Sequence, residues 1–207
     1  MEVQEAYIYI KDRLNKFNSS KDINERQFLY AYNKMIFHWY EERLKVAEST
    51  QIRQEELQQY LENICEKLRK DKTGTYLKLP EDYYTYSRVK GICGDCDNTV
   101  IGRPAEEGNI NNYLQLYPPS LEWEETWFTV RDNKLYFYTD FTCKEVELIY
   151  YKCPRLIDMD CVGGKDIHPD LDKASIHEVL DLVVLLLSGD AQDPRYQTIS
   201  NLIKTFT

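Results

Sequence analysis

The sequence predicts an α+β protein: an N-terminal antiparallel helical bundle, completed by C-terminal helices, with an antiparallel β region inserted between them. Three observations carry this. Apolar residues recur at helical spacing from residue 3 to about residue 70. From Gly74 to Pro154 the pattern turns to short extended runs closed by turn residues. Helical spacing then returns after Ser175. The expected divisions are a bundle over 1–73, a β-rich insertion over 74–154, and a loop with helices over 155–207 that rejoins the helical body as one structural unit.

Residues 3–17 form an amphipathic helix, with Val3, Ala6, Tyr7, Ile10, Leu14 and Phe17 on one face, and Asn18-Ser19-Ser20-Lys21 breaks it. Asp22 caps a second helix, with Glu25 reaching back to complete a capping box. It runs to about residue 47, with Leu29, Tyr32, Ile36, Trp39 and Arg43 on one side and Phe28, Met35 and Leu44 widening the stripe. Its length is roughly 35 Å. After Ser49-Thr50, a third helix carries Leu57, Tyr60, Leu61, Ile64 and Leu68 and ends in Lys67-Leu68-Arg69-Lys70, against the negative end of its dipole. Short connections make the three antiparallel.

In the insertion, Tyr76-Leu77-Lys78-Leu79 is extended because Pro80 keeps Leu79 out of helical geometry. Further strands are expected at 84–92, 126–130, 135–138 and 145–152, with an asparagine-rich helical or irregular insert at 106–116. Arg131-Asp132-Asn133 has the chemistry of a hairpin turn.

The last third is the most apolar. Ser175 with Glu178 makes a capping box, and Ile176, Val179, Leu180, Val183 and Leu187 follow at core-facing spacing. Residues 182–187 are an unbroken apolar run, so the helix is apolar all round and must be covered all round. In a chain this small, a neighbouring subunit supplies part of that cover. Gly189 stops the helix, and Asp193-Pro194 opens a second piece with Tyr196, Ile199, Ile203 and Phe206 in a stripe. The candidate interface is therefore Leu182, Leu185, Leu186, Arg195, Tyr196, Ile199, Ile203 and Phe206.

The composition is globular, and its 17 tyrosines suit half-buried strands, helix faces and packed interfaces. A net charge of −9 argues against a broad nucleic-acid-binding surface, though not against a pore wall that repels DNA and lets it slide. No export signal and no run of 18 apolar residues is seen, so the six cysteines are expected as reduced thiols in a protein assembled in a cytosol.

No catalytic, cofactor-binding or metal-binding residue is assigned. Cys93-Gly94-Asp95-Cys96 lacks the second pair that zinc needs and the strand-to-helix setting of a redox pair, and reads as two thiols flanking a β-turn. His38 reads as a packed side chain, His168 precedes proline, and His177 lies near the positive end of a helix. The serines lack a Gly-x-Ser-x-Gly setting, and Gly163-Gly164-Lys165 lacks phosphate-loop spacing. Glu122-Trp123-Glu124-Glu125 and Asp158-Met159-Asp160 lack calcium-loop spacing, and read as solvated or as facing a basic patch on a partner.

Several stretches, taken in order, resemble one group. They are the second helix with Asn33, Trp39 and Arg43, the Leu79-Pro80-Glu81-Asp82-Tyr83-Tyr84 junction and the strand end Tyr150-Tyr151-Lys152-Cys153-Pro154. The His177-Glu178 helix start and Asp193-Pro194-Arg195-Tyr196-Gln197 complete the set. Together they resemble head-to-tail connector (adaptor or ring) proteins of tailed bacteriophages, nearest those of crAss-like phages. The resemblance implies a non-enzymatic virion protein, made in the host cytoplasm, that forms a homo-oligomeric ring, typically of twelve copies, beneath the capsid portal. Its partners would be the portal protein, a distal tail or ring protein, and genomic DNA passing without sequence-specific binding; no membrane is involved. The other class open to the sequence is a soluble intracellular protein-binding adaptor, monomeric or dimeric.

Overall fold

A computed structural model describes residues 3–16, 23–47, 57–93, 98–157, 171 and 173–188. The chain divides into a helical unit, Met1–Gln59 with Pro154–Thr207, and a sheet unit, Tyr60–Cys153.

The helical unit contains α1 (Val3–Lys16), α2 (Glu25–Ala47) and, late in the chain, a helix over Lys173–Ser188. Their apolar stripes fall where the spacing places them: Val3, Ala6, Ile10 and Leu14 on α1, and Phe28, Leu29, Tyr32, Met35, Ile36, Trp39 and Tyr40 on α2, are all buried. The cap of α2 sits two residues later than expected. Asn24 Oδ1 accepts from the Gln27 amide at 2.9 Å, and Gln27 Oε1 accepts from the Asn24 amide at 3.1 Å, a reciprocal box built from Asn and Gln. Asn33 anchors the chain beyond the sheet, donating to Ile157 O at 2.8 Å and accepting from Ile157 N at 2.9 Å.

The sheet unit overturns the expected fold class. The β region is no small insertion in a helical bundle: eight strands form one mixed sheet in the order β1-β8-β4-β5-β6-β7-β3-β2. They are β1 Leu61–Lys67, β2 Arg69–Lys70, β3 Thr75–Lys78, β4 Tyr83–Cys93, β5 Asn98–Pro104, β6 Glu125–Arg131, β7 Lys134–Tyr138 and β8 Cys143–Lys152. The expected third helix does not continue past Leu57, and its start, over 51–56, lies outside the described residues. Leu57 and a 3-10 turn over Gln58–Tyr60 lead straight into β1, which pairs antiparallel with β8 from Leu61↔Tyr151 to Lys67↔Glu145. The spacing of Leu57, Leu61, Ile64 and Leu68 is helical by coincidence. An edge strand that exposes Glu62, Asn63, Cys65 and Glu66 shows no clean alternation to correct that reading. The sheet is also not purely antiparallel. β5 and β6 are parallel neighbours, joined by a crossover that contains α3 (Ile110–Leu116), the expected insert.

A single residue, Leu68, joins β1 at one edge of the sheet to β2 at the other. One residue spans only about 3.5 Å, so the two edges must lie end to end and the sheet must curl onto itself. With β1 and β2 as one bent strand, seven strands surround the core. That core is one cluster that includes Leu77, Val89, Val100, Phe128, Phe137, Val146 and Leu148, with Ile64 and Leu68 packed on it from the joining strand. Inward alternation is plain on β8, where Val146, Leu148 and Tyr150 are buried. Gly91 is required by its neighbours: a Cβ there would stand 2.8 Å from the Phe137 ring.

The β6–β7 hairpin forms as expected. Asp132 and Asn133 take φ of 50° and 58°, the left-handed pair that a two-residue hairpin turn demands. The cysteine expectation fails at one pair. Cys93 ends β4, Cys143 begins β8, the register sets them opposite, and they form a disulfide. The remainder of the Cys93-x-x-Cys96 turn lies outside the described residues.

Candidate protein-docking groove

The crossover from β5 to β6 builds the most exposed apolar surface of the sheet unit. α3 ends at Leu116, and Ser120 then bridges back to Glu125 through amide bonds of 3.0 and 3.1 Å. Within that closed loop, the Trp123 amide donates to Ser120 Oγ at 3.3 Å, and Glu124 turns the chain at φ 55°. The Glu124 carbonyl accepts from Ile101 N at 2.7 Å, which ties the loop to β5. Trp127 secures the other wall: its indole N–H donates to Tyr117 O at 2.8 Å, and its ring lies 4.8 Å from that of Tyr113.

The result is a groove of about 530 Å³ lined by Leu116, Tyr117, Pro118, Trp123, Glu125 and Trp127. Leu116, Tyr117 and Trp123 are 72%, 64% and 76% exposed. Single exposed apolar residues are ordinary, but large ones gathered around a concavity mark a binding surface. Arg103 forms an ion pair with Glu125 and so offsets the charge of the one carboxylate in the groove lining. Glu122 and Glu124, which flank the groove-lining Trp123 in the chain, are exposed.

The structure treats the expected interface residues differently. On α4 (Lys173–Ser188), Ile176, Val179, Leu180, Val183 and Val184 are buried, whereas Leu182, Leu185 and Leu186 are half-buried. Exposed His177, Glu178 and Asp181 show that the helix is not apolar all round. The helix starts at Lys173, ahead of the expected cap at Ser175, and Glu178 lies on α4. Its carboxylate accepts the Trp39 indole N–H at 3.0 Å and pairs with Arg43. Arg195, Tyr196, Ile199, Ile203 and Phe206 lie outside the described residues, as do His168, Asp158-Met159-Asp160 and the glycine-lysine loop.

Candidate chemistry elsewhere is sparse among the described residues. His38 is half-buried, and burial pushes its pKa below the usual value. Desolvation raises the Cys65 and Cys153 thiols, which lowers their thiolate content. Among the described residues no group of three or more His, Cys, Asp or Glu is placed to hold a metal, and no helix is long and apolar enough to cross a membrane.

Reading the sequence identified Glu122-Trp123-Glu124-Glu125 as able to face a basic partner but missed Leu116, Tyr117 and Trp127. The available signal was Tyr117-Pro118-Pro119 shortly ahead of two closely spaced tryptophans, Trp123 and Trp127, a rigid aromatic stretch with no core periodicity. The chain matches no protein-family model and no curated protein.

Proposed function

We propose that this protein is an assembly component: a head-to-tail connector that forms a homo-oligomeric ring beneath a phage portal, with the DNA channel running through it. The observation that carries the assembly reading is the aromatic groove, whose exposed Leu116, Tyr117 and Trp123 are the residue types that anchor protein interfaces. The half-buried Leu182, Leu185 and Leu186 on α4 are a second apolar surface suited to a neighbouring subunit. The portal, the ring and the virion location rest on the sequence resemblance. An acidic chain is consistent with a channel that DNA passes without being held. Weak contacts repeated around a ring become strong once it closes.

The test is the mass of the purified protein by light scattering, alone and mixed with portal rings, followed by particle imaging. A ring-sized species, free or on the portal, is expected. A monomer or dimer that ignores the portal would overturn the ring and favour a soluble adaptor module.

A further inference from the structure

Two surfaces of the sheet unit have opposite character. One is the groove, lined in part by Trp123, which exposed Glu122 and Glu124 flank in the chain. The other is the corner where β1 passes into β2 and the following turn. There Lys67, Arg69, Lys70 and Lys72 are all exposed, and none forms an ion pair among the described residues. The one carboxylate in that turn, Asp71, is already held by Lys134 at 2.9 Å, so the corner is basic.

Strand directions place both surfaces on one rim. β2 is antiparallel to β3, β3 to β7, and β7 to β6, so β2 ends where β6 begins. β3 and β7 separate them on one side of the circuit, and β5, β4 and β8 on the other. They therefore face away from each other around the barrel.

We propose that the groove receives the basic corner of a second copy of this chain, with Glu122 and Glu124 facing Lys67, Arg69 and Lys70, and Trp123 buried under their aliphatic stems. This deepens the ring reading and rests on it for its setting. Charge complementarity selects the occupant, because the exposed residues flanking Trp123 are acidic, the lining carboxylate of Glu125 is already paired with Arg103, and a matching basic surface exists on the same unit. Lysine and arginine suit an exposed indole because their stems cover its face while their charge meets the carboxylates. A contact between two different surfaces of identical subunits is head to tail, the kind that propagates and closes into a ring.

The experiment compares sedimentation of the full chain at low and high salt, alone and on portal rings, for two charge-reversed variants. One is Glu122→Lys with Glu124→Lys; the other is Lys67→Glu with Arg69→Glu and Lys70→Glu. All five side chains are exposed, and circular dichroism checks folding. Each variant alone should lose self-association by roughly 30-fold or more, while an equimolar mixture should recover it, since each then carries the surface the other needs. Trp123→Ala should weaken association with little change in its salt dependence.

Wild-type oligomers unaffected by either reversal, or a mixture that fails to recover, would overturn this contact and leave the ring standing. A wild type that stays monomeric both alone and on portal rings would remove both.

Discussion

Trp39 and Trp123 are the same residue in opposite circumstances. In the helical unit, Trp39 is 2% exposed, its N–H is taken by Glu178, and the Arg43 guanidinium lies 5.0 Å from its ring. In the sheet unit, Trp123 is 76% exposed, on a loop closed by its own hydrogen bonds. One indole fills a core, and the other is held out by a scaffold that does not depend on it. The difference separates residues that make the fold from residues that the fold presents.

Substitution should expose that division most strongly at Trp39. Trp39→Ala removes a buried ring and leaves Glu178 without its indole partner, so chemical denaturation should show a loss of about 3–5 kcal/mol. An unchanged midpoint would mean that Trp39 is not core. Next in size is the disulfide. Cys93→Ala with Cys143→Ala should cost about 2–4 kcal/mol, and dithiothreitol should weaken the wild type but not the double variant. Equal sensitivity in both would rule out a stabilising bond at this position.

Asp71 gives a smaller, pH-dependent effect. The Lys134 ammonium, with the Thr73 and Gly74 amides and the Tyr136 hydroxyl, holds its carboxyl well below the usual carboxylate range. A depressed folded pKa gives stability that is present above the unfolded value of about 3.9 and lost as pH falls toward the folded one. The melting temperature of the wild type should therefore exceed that of Asp71→Asn near neutrality, and the gap should narrow below about pH 4. A gap that stays constant across this range would show that Asp71 acts sterically rather than by charge. The smallest effect on folding belongs to Trp123→Ala, within about 0.5 kcal/mol of wild type. A larger loss would make Trp123 part of the fold and erase the contrast.

The parts of the fold that were legible are those set by neighbours in sequence. The stripes of α1, α2 and α4, the Asp132-Asn133 turn and the inward alternation of β8 all follow from local periodicity or turn chemistry. Residues 61–67 were misread because their partner, β8, lies some eighty to ninety positions away, and nothing local distinguishes that register from a helical stripe. The parallel pairing of β5 with β6 is hidden for the same reason, being set across a crossover. Half of the groove was legible. The acidic run around Trp123 stands out by composition, whereas Leu116 and Trp127 become its neighbours only when α3 ends and β6 begins.

The one-residue link at Leu68 also bears on the order of events during synthesis. β1 emerges from the ribosome about eighty to ninety residues before β8, its lateral partner, so at usual elongation rates it waits roughly 5–20 s without a mate. β2 meets β3 within a few residues, so a small meander can form early while the strand ahead of it dangles. Such high-contact-order closure slows the final step. In that interval the nascent edge is open to the wrong neighbour. The charged side chains of Glu62, Glu66 and Lys67 are the kind of gatekeepers that discourage such mispairing.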